Sequence, residues 1–217
     1  MAKNTPIPAE IVDKIYAESG ISSIVKASIR EIKKLINDIE KASGSKFIRM
    51  EMGVPGLPAC QIGVDAQIKA LQNGCAAIYP DIDGIPELKN EASRFIKNFI
   101  NLDIDPSGCI PTVGSMMGGM ASFMTLVRAR KERDTTLFID PGFPVQKNQH
   151  KVMGLKYETF DVYDYRGEKL RDKLKSYLEK GNIHSIIYSN PNNPAWICLT
   201  EKELQIIGEL AKKKDLE

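Results

Sequence analysis

The sequence predicts an α/β fold, a mostly parallel sheet with helices on both faces in three layers, preceded by a helical N-terminal segment. Three observations carry that expectation. From residue 108 onward, short strand-like runs alternate with longer stretches of helical periodicity, the pattern of βαβ units. Capping and stop signals bracket the helical stretches, clearest at Thr200 with Glu203 three residues on. Three of the expected strands end in Gly-, Pro- or Asn-rich segments, where open α/β sheets bind ligands.

The elements follow in order. Ile24, Val25, Ile29, Ile32, Leu35, Ile36 and Ile39 recur at helical spacing, so a helix is expected over 22–42, with Ser22 or Ser23 as cap and Gly44 after its end. "FIRMEMG" (47–53) reads as a short strand running into the loop "GVPGLPA". A helix fits 62–73, stopped by Asn73-Gly74, and a turn-rich loop, "YPDIDGIPEL", leads into another from Pro86 to Phe99. Then "GCIPTV" reads as a strand, 115–131 as a helix, "TLFID" as a strand and 144–153 as a helix. "KYETF" is a strand, 167–180 a helix, "IHSIIYS" a strand and 200–214 a helix. The expected organisation is an arm and small-lobe segment over 1–50, then an α/β domain over 51–217.

A formal net charge of +2 gives no reason to expect nucleic acid or a membrane surface as partner. No apolar run is long enough to span a bilayer, and "MAKNTPIPAE" lacks the apolar core of a secretory signal. Cys60, Cys75, Cys109 and Cys198 show neither metal-ligand spacing nor a disulfide framework, so a reducing, cytoplasmic compartment and mostly buried thiols are expected. His150 and His184 stand apart, outside any metal-binding motif, and read as incidental surface or strand residues.

Each strand end admits two readings. In "TVGSMMGGM", Gly114 turns the chain tightly and a helix begins at Ser115. Free backbone N–H groups and a positive dipole end then face whatever lies in front, and a phosphate suits them. Alternatively, Gly118 and Gly119 only let that helix approach the sheet. In "FIDPGFP", Phe143 either lies flat on a ring-shaped ligand or staples the next helix to the core. In "SNPNNPAW", the two Asn-Pro steps force extended or turn backbone, and Asn193-Pro194 is a candidate cis bond. The Asn193 amide is then aimed at a ligand oxygen, or the segment is only a turn before a helix.

Taken together, these segments resemble the pyridoxal 5′-phosphate (PLP) dependent aminotransferases of class I/II, fold type I, from about Met50 to the end of the chain. "NPNNP" resembles that family's N-P-x-N-P signature, implying that Asn193 hydrogen-bonds the cofactor's 3′-oxygen. "VGSMMGG" resembles the phosphate-cup turn, implying that Gly114, Ser115 and Met116 hold the cofactor phosphate. "DPGFP" resembles the element whose aromatic residue, here Phe143, stacks on the pyridine ring. "YPDIDGIPEL" resembles the segment in which a tyrosine, here Tyr79, reaches the phosphate in the partner subunit's site, implying a homodimer. "EMGVPGLPA" resembles the loop over the substrate, implying that Gly53 lies beside the substrate carboxylate. The order and spacing of all five segments match.

The resemblance implies transfer of an amino group between an amino acid and a 2-oxo acid. It departs from the family at Ala195-Trp196, where Thr-Gly is usual, which puts the substrate-side wall in doubt; Trp196 and Cys198 either line that wall or Trp196 is a hydrophobic plug. The family's Schiff-base lysine, pyridine-nitrogen aspartate and carboxylate-binding arginine lie beyond the helix at 200–214, and no lysine of this chain is in the expected position. The chain is therefore expected to be the N-terminal part of an enzyme, inactive alone, with apolar surface exposed. Alternatives are a PLP-dependent lyase or decarboxylase of the same fold, a non-catalytic PLP-fold binding protein, or a nucleotide-binding α/β domain using "GSMMGG" for a diphosphate.

Overall fold

The computed structural model describes residues 5–216. They form two compact units, the first running to Ile78 and the second starting at Tyr79. The sequence reading divides the chain at residue 50.

The first unit is built on two packed helices, α1 (Ala9–Glu18) and α2 (Ile29–Ser43), followed by α3 (Gln61–Gln72). The sequence reading passes over α1, although Ile11, Val12, Ile15 and Tyr16 recur at helical spacing behind Pro8. The helix expected over 22–42 begins later. Ile24–Lys26 is a separate 3₁₀ turn, and the cap is Ser28, whose hydroxyl accepts from the Glu31 N–H while Glu31 accepts from the Ser28 N–H. Gly44 closes α2 in the left-handed region at φ 70°. The strand expected at 47–53 does not form. The Phe47 N–H is taken by the buried Glu40 carboxylate at 2.9 Å, so a side chain supplies the acceptor that a neighbouring strand would have given.

The second unit opens with α4 (Pro86–Ile100), started by Pro86 and ended by left-handed Asn101. Ahead of it, Gly84 sits at φ +98°, and a Cβ there would lie 2.6 Å from the Pro111 ring, so backbone and space both require glycine. The strand expected at "GCIPTV" is also absent. Asp105 caps a 3₁₀ turn at Pro106–Gly108, and the Gly114 N–H turns back onto the Thr112 carbonyl at 2.8 Å. With no paired backbone beside it, this extended segment has no ladder to join.

Next come α5 (Ser115–Ala129), β1 (Thr135–Asp140), α6 (Pro144–Met153), β2 (Lys156–Asp161), α7 (Lys169–Leu178), β3 (Ile183–Ile187) and α8 (Glu201–Lys214). All three strands are parallel, in the order β2-β1-β3. The two faces of β1 sort by parity. Leu137 and Ile139 join Phe160, Leu170, Leu174, Ile206 and Leu210 in the core beneath α7 and α8. Thr136 and Phe138 face the other way, where Phe123 of α5 and His150 of α6 lie with ring centroids 4.4 Å apart. Helices thus cover both faces, as an α/β layer structure requires.

Three expectations about single residues change. His150 is a buried helix residue, its Nδ1–H donated to the Gln146 carbonyl (2.9 Å) and its Nε2 paired with Thr136 Oγ1 (2.9 Å). His184 does lie in a strand, and is likewise buried. The thiols are not buried: Cys60, Cys75 and Cys198 are exposed and Cys109 is partly so. Cys60 and Cys75 flank α3, which buries no residue, and Cys198 points outward between inward-facing Ile197 and Leu199. Trp196, at 89% exposure, is no plug within this chain. Apolar surface is exposed, as expected, with Met116, Met117, Met120 and Met124 forming a stripe along α5. Among the described residues, no helix is long and apolar enough to cross a membrane.

Candidate functional site

Parallel strands share a polarity, so β1, β2 and β3 end at one edge of the sheet. Beyond β1, Asp140-Pro141-Gly142 turns the chain into α6, with Phe143 as the residue that precedes its first turn. Beyond β3, the chain runs through Ser189 to Trp196 before α8 begins. Helix α5 leads through a short connection into the start of β1, so its N-terminus, Gly114 to Met116, lies toward the same carboxyl edge. Gln149 of α6 reaches it directly, donating to the Met116 carbonyl at 2.9 Å.

The first candidate group is the start of α5. Gly114 holds φ 79° and provides no side-chain cap. The N–H groups of Ser115, Met116 and Met117 therefore lack an intrahelical acceptor, and they lie at the positive end of the helix dipole. Gly118 packs against Thr112, whose Oγ1 would lie 3.1 Å from an added Cβ, so close packing operates at Gly118, whereas Gly119 would meet only the Phe123 ring at ordinary contact distance. The uncapped start at Gly114 to Met116 remains the candidate anion-facing turn.

The second group is the loop after β1. Lys147 grips Asp140 through both carboxylate oxygens, at 2.7 and 2.8 Å, and Thr159 of β2 donates to the same carboxylate. Phe143 stays 43% exposed. It is therefore not a buried core residue.

The third group answers why so many asparagines and prolines follow β3. Asp140-Pro141, Asn190-Pro191 and Asn193-Pro194 are all cis, the last as the sequence suggests. The three asparagines divide the work. Asn190 Oδ1 accepts from the Leu199 N–H (2.9 Å), and Asn192 Oδ1 accepts from the Ala195 N–H (2.9 Å). The Asn192 amide also donates across to the Pro141 carbonyl in the loop after β1. Asn193 is exposed, and its side chain makes no hydrogen bond among the described residues. Asn190, Asn192 and the Lys147–Asp140–Thr159 cluster are not singled out by the sequence; the only signal was the pair of closely spaced Asn-Pro steps.

The other nominated residues are Tyr79 and Gly53. Tyr79, the first residue of the second unit, is fully exposed. Gly53 belongs to the first unit and has no atom within 4 Å of an added Cβ, so nothing local demands a glycine there.

The sequence matches the family model "Aminotransferase class I and II" over residues 45–216. It is 27% identical over 198 residues to a probable aspartate aminotransferase of Methanocaldococcus jannaschii, spanning 91% of this chain and 49% of that protein. A (5-formylfuran-3-yl)methyl phosphate transaminase of the same organism is 31% identical over 167 residues, spanning 76% of this chain and 41% of that one. The alanine aminotransferase of Pyrococcus furiosus superposes with a TM-score of 0.74 at 24% identity, covering 89% of this chain and 49% of that structure. A Thermus thermophilus aspartate aminotransferase double mutant gives 0.75 at 16% identity, covering 93% and 50%. These likenesses establish the fold. The chain spans about half the length of the curated relatives it matches. With the family model covering most of its length, the chain belongs to the class I and II aminotransferases.

Proposed function

We propose that the protein containing this chain is a PLP-dependent aminotransferase, moving an amino group between an amino acid and a 2-oxo acid. Family membership supports the reaction class, and the sheet edge supports the cofactor. One observation carries the reading furthest: Asn193 presents an unspent amide one residue from Asn192, which is itself hydrogen-bonded to the loop bearing the partly exposed Phe143.

The residues present fit the cofactor's chemistry. Uncapped N–H groups at Ser115 and Met116, with Gly114 allowing close backbone approach and the Ser115 hydroxyl as a further donor, suit a phosphate. The Phe143 face suits a flat heterocycle, and the Asn193 amide suits a donor role toward the ring's 3′-oxygen. When bound, the cofactor supplies an electron sink for the carbanion left by loss of the substrate's α-proton. This chain's own residues bind and orient it. The amine that anchors the cofactor and shuttles the proton is expected elsewhere in the full-length protein, so the 217-residue chain alone is expected to show no turnover.

The same reading gives Tyr79 a phosphate contact in a homodimeric partner's site, gives Gly53 a place beside the substrate carboxylate, sets the domain division at residue 50 and puts the enzyme in the cytoplasm. Titration of PLP into the chain, followed by quenching of Trp196, the only tryptophan, tests the cofactor part. Saturable quenching weakened about tenfold by Asn193→Ala, for a lost hydrogen bond to a charged group, is the expected result. Quenching by a nucleoside diphosphate but not by PLP would overturn it, as would transaminase turnover by the chain alone for the division of labour.

A further inference from the structure

We infer that Asn192 is a positioning residue: it locks the loop after β1, which carries Phe143, to the loop after β3, which carries Asn193, so that the two move as one piece. What that piece holds rests on the cofactor reading above; the locking does not.

The geometry is specific. Strand pairing between β1 and β3 runs only to Phe138 and Ile187, so beyond those residues the two loops need another connection. Asn192 supplies it. Its side chain is buried, at 9% exposure, and both ends are used: Nδ2 donates to the Pro141 carbonyl and Oδ1 accepts from the Ala195 N–H at 2.9 Å. Its backbone is fixed as well, the N–H donating to the Ile197 carbonyl (2.8 Å) and the carbonyl accepting from the Trp196 N–H (2.9 Å). The residue bound from both sides therefore stands immediately before the one left free.

The far side of the connection is equally anchored. Asp140, directly before Pro141, is held by Lys147 of α6 and Thr159 of β2. Thr159, Lys147, Asp140, Pro141 and Asn192 thus form one lateral frame that ties β2 and α6 to the loops after β1 and β3. Phe143 lies two residues from the Pro141 carbonyl, and Asn193 is the next residue after Asn192. A slip between the loops would change the spacing between the Phe143 ring and the free amide, and a misplacement of ~1 Å is enough to degrade a bound geometry strongly.

A role confined to local loop stability predicts something different, and Asn190 provides the contrast. It anchors the same loop through the Leu199 N–H but does not touch Pro141. Asn192→Ser keeps a short acceptor for the Ala195 N–H and is too short to reach Pro141. Asn192→Asp has the same shape with no proton to give, and serves if the serine variant does not fold. Asn190→Ser loosens the loop on its own side only.

The experiment measures backbone ¹⁵N order parameters at Gly142 and Phe143 in the 217-residue chain, together with PLP affinity by Trp196 quenching. In the wild type and in Asn190→Ser, both amides should stay near ~0.85; in Asn192→Ser and Asn192→Asp they should fall below ~0.6. PLP affinity should weaken about tenfold in the two Asn192 variants and less than about twofold in Asn190→Ser. Gly142 and Phe143 staying rigid in both Asn192 variants would overturn the proposal, as would equal loosening in Asn190→Ser. Loosening without loss of PLP affinity would overturn the positioning role. A wild-type chain that does not bind PLP would refute the cofactor reading, while the order parameters would still decide the locking.

Discussion

Glu203 offers the strongest single test of the second unit's energetics. Its side chain, 1% exposed, accepts four hydrogen bonds: two from the Arg166 guanidinium (2.7 and 2.8 Å) and one each from the N–H groups of Gly167 (2.7 Å) and Thr200 (2.8 Å). It therefore closes the capping box of α8 and pins the segment before α7 to it. The Arg166 guanidinium, followed by the two backbone donors, lowers the Glu203 carboxyl from 4.5 to about 2 against the opposing cost of burial. A shift of that size contributes about 3 kcal/mol at neutral pH, at about 1.4 kcal/mol per pH unit. Arg166 is 36% exposed, so solvent screening brings this to about 2–3 kcal/mol.

Glu203→Gln keeps the shape and removes the charge. It also turns an amide donor toward groups that are all donors. The expected loss at pH 7 is about 2–3 kcal/mol by urea unfolding, or roughly 4–12 °C in Tm for a chain of this size. The sign of the pH dependence follows from a lowered folded-state pKa. The contribution is complete above 4.5, declines as pH falls toward about 2, and is gone below it. The gap between wild type and variant should therefore narrow over that window. A variant within about 0.5 kcal/mol of wild type at pH 7, or a gap that does not change with pH, would refute the reasoning.

Thr136→Val removes the hydroxyl between His150 Nε2 (2.9 Å) and His184 Nε2 (3.4 Å), leaving buried ring nitrogens unpartnered; a loss of about 1–3 kcal/mol in urea unfolding is expected. Burial lowers the pKa of both histidines from 6.5, so the unfolded chain takes up protons first, and Tm should decline as pH falls below about 6.5; a flat Tm from pH 7.5 to 5 would contradict this. Gly84→Ala puts a Cβ at φ +98° against the Pro111 ring and should cost about 1–3 kcal/mol, read as a drop in Tm. Leu174→Ala, at a fully buried position of α7, should cost about 2–5 kcal/mol by denaturant unfolding. The exposed Met116, Met117, Met120 and Met124 should make the isolated chain self-associate, which light scattering would detect as a mass above 24.2 kDa.

What the sequence alone determined was everything carried by neighbours in the chain. All four helices and all three strands from Ser115 onward lie within about two residues of their expected ends, because caps such as Thr200 with Glu203 and stops such as Gly154 act over three or four residues. Two of the three nominated turn segments do follow strands, after β1 and after β3, since turns are local chemistry, while the one at Gly114 follows an extended segment that is not a strand. α1 was legible too, in the spacing of Ile11, Val12, Ile15 and Tyr16, and was simply passed over.

Only the tertiary structure decided matters that depend on what lies alongside. Residues 47–53 and 108–113 have strand-like composition, but a strand exists only when another backbone accepts its hydrogen bonds; Phe47 finds the Glu40 carboxylate instead. The same cause hid the exposure of the thiols, the burial of His150 and the division of labour among Asn190, Asn192 and Asn193. Three asparagines with one chemistry become two anchors and one free amide because Pro141, 51 residues away from Asn192, happens to present its carbonyl within reach.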